Sequence, residues 1–406
     1  MRILFICGSL EVGLDGVGDY CRRLAGECIR QGAPSAIVAL NDRYCSSRAS
    51  RKVLDSNQIN SSLLIKLAGD FQDADGTQVP VLRLSDKETW RNRLAFINDF
   101  AISFSPNIIS LQYVPYSFNK WGLPVGLPFF VNNFVKCISS GASNTHYFQR
   151  FYTQPRERAK TSVAVHIMFH EICVGLGCYS PIKHRIMGFS QLLIARYLIR
   201  FCNAASVHTQ CTPYVQILKK SLPKITKLNL FSNIQPTERC TPRKATKFIR
   251  IAFFGSVHSG WSVEQVTCAI QDINNVTGKP CYIIAMGRGG PNSYAMWSKL
   301  RKAGIRVLDL GPLSAHQISY YLAKCDIGLS ATCPDLIEKS SIAATMFGHG
   351  LSVVLTRQPI WNGKFDEQIR SANQFAIFPG QILNSTSLLK RSTQDNSLNH
   401  VTRILL

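Results

Sequence analysis

Apolar residues fall in short runs, separated by stretches in which apolar positions recur at helical spacing. The first run, within residues 2–7, reads as a buried strand. After it, Val17, Tyr20, Cys21, Leu24, Ala25, Cys28 and Ile29 follow the i, i+3, i+4, i+7 rule of one helix face. Residues 36–40 form the next apolar run, which gives a strand, loop, helix, strand unit with a right-handed crossover. Further strands are predicted at 108–112, 163–169 and 205–208. Residues 229–248 are polar, hold two prolines and lose the periodicity, so they are predicted to link two domains. The pattern then restarts with strands at 249–254, 281–286, 306–310, 326–330 and 352–356.

The predicted class is α/β, with two doubly wound, Rossmann-like parallel-sheet domains facing across a cleft. The expected division is 1–235 for the first domain and 236–385 for the second, with 386–406 a tail that packs back on the first. Ligands of open parallel sheets bind beyond the carboxyl ends of the strands, so the loops there are the candidate site.

Charge adds a partner class. The chain has 46 basic and 24 acidic residues, and 101–250 alone holds nineteen Lys or Arg against Glu157, Glu171 and Glu238. Such a field favours an anionic partner or simply aids solubility. The segment 183–203 joins a broad apolar face to Lys183, Arg185, Arg196 and Arg200, which suits either an anionic membrane surface or an ordinary buried helix. No window is apolar for the 18 or so residues a spanning helix needs. Fourteen cysteines without CxxC or zinc-type spacing point to reduced thiols, a cytoplasmic location and no metal. No nucleic-acid recognition module is present, so nucleic acid is not an expected partner.

The loop GSLEVGLDGVGDY at 8–20 follows the first strand. It fails as a P-loop because Leu14 and Asp15 stand where Lys and Ser/Thr are required. It fails as a dinucleotide fingerprint because Cys21 stands at the third glycine. What remains is a flexible turn into a helix whose first amides can meet an anion or a sugar, or a turn the glycines merely shape.

Several stretches in order, VPYSF, IMFHEICVG, VHTQCTPY, LFSNI, IAFFGSVHSGW and CDIGLSATCPDLIEKSSIAATMFGHGLSVVL, resemble those of GT-B glycosyltransferases. The nearest likeness is to family-4-like retaining enzymes with nucleotide-sugar donors, and it runs from residue 1 to roughly 380. The resemblance implies a nucleotide-sugar as co-substrate with no further cofactor, and a carbohydrate or lipid-linked acceptor in polysaccharide or glycolipid synthesis. It also implies that Gly16 and Gly18 approach the donor and that Asp19 orients a sugar hydroxyl, unless Asp19 serves only the helix start. His170 would contact the transferred sugar, with Glu171 on hydroxyl groups; the alternative is a satisfied core histidine. Gly255, Ser256, Lys339, Ser340 and Ser341 are candidates for diphosphate contacts, as is Arg288 in GRGG.

The pattern departs in two places. Where related enzymes carry a basic pair after the first strand of the second domain, this chain has only His258, so Lys339 or Arg288 would have to compensate. Ile337 and Thr345 occupy the positions of a usual glutamate pair, with Glu338 one residue off. These departures motivate the alternative of a binding protein that kept the fold and lost turnover.

Overall fold

The computed structural model describes residues 1–45, 70–140, 162–177, 180–219, 225–236, 246–257, 260–361, 376–377, 389 and 398–405. Two sheets organise these residues. The first has strand order β3-β4-β2-β1-β5-β6-β7-β8. Its strands are β1 (Ile3–Cys7), β2 (Ser35–Asp42), β3 (Asp70–Ala74), β4 (Thr77–Ser85), β5 (Ile108–Tyr113), β6 (Ala164–Phe169), β7 (Ser206–Thr209) and β8 (Ile225–Lys227). All neighbours pair in parallel except β3 and β4. Helix α1 (Gly16–Arg30) packs on one face, and α2 (Trp90–Phe104), α4 (Leu127–Ser140) and α5 (Ile182–Phe201) on the other; α3 (Pro115–Phe118) is a single turn. Both faces of β1 are therefore covered. That is why Ile3 to Cys7 form a continuous apolar run instead of an alternating one.

The second sheet has order β11-β10-β9-β12-β13-β14. It comprises β9 (Ile249–Ser256), β10 (Cys281–Gly289), β11 (Arg306–Asp309), β12 (Ile327–Ser330), β13 (Ser352–Leu355) and β14 (Ala376–Ile377), all parallel. α6 (Thr212–Lys219) packs on the first sheet, with Tyr214, Val215 and Leu218 in its core, and alongside the second run α7 (Val263–Thr277), α8 (Ser293–Lys302), α9 (Ala315–Lys324) and α10 (Ser341–Gly348). A 3-10 turn, Pro334–Lys339, leads directly into α10. The final helix α11 (Leu398–Leu405) lies against α1, with Leu398 and Val401 in the same apolar cluster as Tyr20 and Leu24.

Residues 230–234 of the expected interdomain linker are packed despite its polar composition. Leu228, Leu230 and Phe231 are buried in the first domain, and the Phe231 ring stacks on Tyr20 at 4.5 Å. Burying such a ring stabilises by about 1.5–3 kcal/mol. Three residues on, Ile234 packs against the second domain's core, and Ser232 Oγ lies 3.3 Å from Thr345 Oγ1. Arg23 donates to the Ser232 carbonyl and to Asp75, so the crossing is tied to α1 as well.

Candidate functional site

The glycine loop is held from beneath by a carboxylate. Asp42 at the end of β2 accepts from Ser9 Oγ at 3.0 Å, Leu10 N at 3.2 Å and Arg83 Nε at 2.7 Å. Burial works against the Asp42 charge, but Arg83 and the amides outweigh it and hold its pKa below the ordinary carboxylate value. Asp15 then caps α1, accepting from Val17 N at 3.0 Å and Gly18 N at 2.8 Å. Asp19 is engaged within the loop, accepting from Gly13 N at 3.1 Å and Arg22 Nη1 at 2.8 Å. The two glycines part company here. A Cβ on Gly18 would stand 2.5 Å from the Ser9 carbonyl, so packing against the loop accounts for Gly18, whereas Gly16 faces open space.

Immediately after Asp19, Tyr20 meets His170 edge-on with ring centroids 4.8 Å apart. His170 sits just past the end of β6, buried, with Nε2 2.9 Å from Gln112 Oε1. Burial drives its pKa down to about 3, a Gln210 hydrogen bond opposes the shift, and the Lys339 charge adds to it. The imidazole is therefore neutral at physiological pH.

The next residue reaches the other domain. Glu171 Oε1 lies 3.0 Å from Lys339 Nζ, which also donates to Tyr214 Oη at 3.1 Å. Burial opposes the Lys339 charge, yet the Tyr214 oxygen and the Glu171 carboxylate more than offset it, and its pKa rises above the ordinary lysine value. Glu338, adjacent on the same 3-10 turn, accepts from Thr212 N at 2.6 Å and Lys227 Nζ at 2.5 Å. Two consecutive side chains thus bind the second domain to the first.

Lys339 lines a hollow of about 300 Å³ at the carboxyl ends of β9 and β12, together with Ser256, Thr332, Ser340 and Arg357. Ser340 caps α10 through Ala343 N at 3.2 Å and touches Thr332 Oγ1 at 3.0 Å. Ser341 opens α10, so its amide and that of Ile342 are among those a helix leaves without intrahelical partners. Gly255 lies behind this surface, with φ of +105° and a hypothetical Cβ 2.5 Å from Ile342 Cδ1. The positive φ, which side-chain-bearing residues rarely adopt, is what suits this position to glycine, since Ile342 Cδ1 could swing aside. Arg288 is exposed at the end of β10 and is not among the residues lining the hollow. His258 lies outside the described residues.

The second cation at the hollow is therefore Arg357, which sequence reasoning missed. It follows β13 by two residues, and its position beyond a strand's carboxyl end was the available signal. Arg357 is carried on a strap fastened by buried Asp335, whose Oδ2 accepts from Ile360 N at 2.5 Å and Trp361 N at 3.3 Å. Chemically, an ammonium, a guanidinium, the hydroxyls of Ser256, Ser330, Thr332 and Ser340 and a helix amino terminus surround one opening, an arrangement suited to a phosphate-bearing ligand.

No protein family and no curated protein matches the sequence. Solved structures do match the fold. HepE from Anabaena, in complex with UDP and glucose, superposes with a TM-score of 0.50 at 11% identity, covering 100% of this chain and 94% of that one. The UDP-GlcNAc 2-epimerase of Methanocaldococcus jannaschii gives 0.51 at 10% identity, covering 100% and 99%. The lipopolysaccharide outer core galactosyltransferase WaaB, in its apo form, gives 0.44 at 12% identity, covering 99% and 95%. The chain has the GT-B fold, two parallel-sheet α/β domains, with the hollow at the strand ends of the second.

Proposed function

We propose that this protein is a glycosyltransferase that takes a sugar from a nucleotide-linked donor. The observation that carries the reading is the placement of Lys339 between the hollow and Glu171. In this reading the donor diphosphate enters the hollow and replaces Glu171 as the partner of the Lys339 ammonium. When the bond from sugar to diphosphate breaks, Lys339, Arg357 and the first amides of α10 stabilise the charge left on phosphate. Glu171, released, takes a sugar or acceptor hydroxyl, and neutral His170 forms the wall beside it. No residue is asked for covalent work, so rate comes from positioning and charge stabilisation. That HepE holds UDP and glucose on the same fold supports the donor class.

The acceptor in this reading is lipid-linked and is met at a membrane surface. Ile182, Ile186, Phe189, Leu193 and Tyr197 are exposed along one face of α5. Phe129 on α4 continues that face, 5.8 Å from Tyr197, and Trp121 and Val125 are exposed just before it. Lys183, Arg185 and Arg200 flank the row, as suits an anionic bilayer. Among the described residues no helix is long and apolar enough to cross a membrane, so contact would be peripheral.

A second reading, nucleotide-sugar binding without turnover, is favoured by Glu338, which stands beside the position of a usual glutamate pair but is engaged with Lys227 and Thr212. A panel of nucleotide-sugars tested for thermal stabilisation, then for hydrolysis and transfer, separates the two. Stabilisation with turnover supports transfer, and stabilisation without product on prolonged incubation supports binding alone. Stabilisation by none overturns both.

A further inference from the structure

His170 is the inner end of a buried hydrogen-bonded chain. Gln112 Oε1 faces His170 Nε2 at 2.9 Å, and Gln112 Nε2 donates to Ser110 Oγ at 2.7 Å. Ser110 Oγ lies 2.7 Å from His166 Nδ1, and His166 Nε2 lies 3.0 Å from His208 Nδ1. The sheet sets this spacing. Ser110 and Gln112 lie two apart on one face of β5, and His170, just past the end of β6, is four residues beyond His166. Ser110 pairs directly with His166, and His208 on β7 pairs with Met168. Ser110, Gln112, His166 and His170 are buried, whereas His208 is half-exposed at the outer end.

Such a chain has one sense. An amide accepts only through oxygen and donates only through nitrogen, and a neutral imidazole has one nitrogen of each kind. With the Gln112 oxygen toward His170, the imidazole Nε2 carries hydrogen. Gln112 then donates to Ser110, Ser110 to His166, and His166 to His208. Reversing any one link reverses all of them or leaves a buried polar atom unpaired, at a cost of about 1–3 kcal/mol. The far end of the chain therefore bears on the proton position at the near end.

We propose that Gln112, Ser110, His166 and His208 act as positioning residues that hold His170 as the neutral Nε2–H tautomer and fix its ring beside the cleft. The role in catalysis rests on the transferase reading, but the tautomer itself does not. Burial of His166, which lowers its pKa to about 3, keeps the middle of the chain uncharged, in keeping with this arrangement. The chain is not a proton wire, because an amide cannot pass a proton onward without leaving its stable form. It specifies an orientation.

The test is long-range proton–nitrogen NMR on the full chain labelled with ¹⁵N-histidine, with no donor or acceptor added. The wild type is expected to show His170 as a single Nε2–H form that does not titrate between pH 5 and about 7.5. Ser110→Ala removes a middle link, and His208→Phe removes the last acceptor, several bonds from His170. Each is expected to mix the His170 tautomers while circular dichroism stays native. Should Ser110→Ala fail to fold, His208→Phe at its half-exposed site carries the test alone. A His170 tautomer that is Nδ1–H in the wild type, or unchanged in folded variants, overturns the proposal. If turnover has been found, the same variants lower kcat with KM little changed. Absence of turnover with the tautomer shift intact would refute the transferase reading and leave the relay standing.

Discussion

Lys339 Nζ and Glu171 Oε1 lie 3.0 Å apart, one from each domain, so the cation at the hollow is already partnered by a carboxylate of the facing domain. A phosphate-bearing ligand must compete with that carboxylate. Glu171→Gln, which keeps the shape and removes the charge, is expected to tighten binding of a nucleoside diphosphate several-fold. Lys339→Met should weaken it about tenfold to a hundredfold, the range for losing a charge-assisted hydrogen bond. Calorimetric titration of both variants measures the difference, and equal affinities would remove Lys339 from the phosphate site.

Arg357 and Arg288 divide in the same assay. Arg357→Ala is expected to weaken nucleotide binding about tenfold, because its guanidinium lines the hollow. Arg288→Ala, at an exposed strand end, should stay within about twofold. The opposite ranking would move the phosphates toward β10.

The two loop glycines give contrasting stability effects. Gly18→Ala sets a methyl group against the Ser9 carbonyl and should destabilise by about 1–3 kcal/mol. Gly16→Ala meets open space at the helix start and should be within about 0.5 kcal/mol of wild type, or slightly stabilising. Denaturant unfolding of the pair settles whether Gly18 answers to packing.

Acid should destabilise the fold through its buried histidines. His166 and His170 have folded pKa values of about 3, below the ordinary 6.5. Between those values the unfolded chain binds more protons than the native one, so stability is complete above pH 6.5 and falls as pH drops toward 3. The loss is about 1.4 kcal/mol per pH unit for each histidine. Urea unfolding across this window should show that slope, and His166→Gln should reduce it.

The exposed row on α5 predicts lipid dependence. Ile186→Glu with Phe189→Glu should abolish flotation with anionic vesicles, leaving the thermal midpoint nearly unchanged because both side chains already face solvent. Flotation equal to wild type, or equal binding to neutral vesicles, would remove the anionic bilayer as partner.

Much of the fold was legible because parallel strands covered on both faces announce themselves as unbroken apolar runs, as Ile3 to Cys7 and Ile251 to Phe254 do. The β3–β4 hairpin was missed, although Asp75-Gly76 is a turn signal and both residues take positive φ, 54° and 84°. Its strands alternate instead of forming a run, and Phe71 faces outward at 38% exposure. In the candidate site, His170, Glu171 and Lys339 could be singled out as unusual residues at strand or helix ends. Tyr214 could not be ranked, since what distinguishes it is Lys339, 125 positions away in the chain, and Arg357 was passed over because only the folded chain shows that this strand end lines the hollow. The pairing of Lys339 with Glu171 across 168 positions belongs to the same class.

Glu338 and Lys339 are successive residues of one tight turn, and each clasps a residue of the opposite domain that bears the opposite charge. Either clasp can open by rotation of its own side chain, so a ligand that takes Lys339 from Glu171 leaves the Glu338–Lys227 pair in place. The join between the lobes is therefore a double bolt with unequal halves, and rising ionic strength should loosen the Lys339 half, whose carboxylate is 45% exposed, before the Glu338 half, whose carboxylate is 5% exposed.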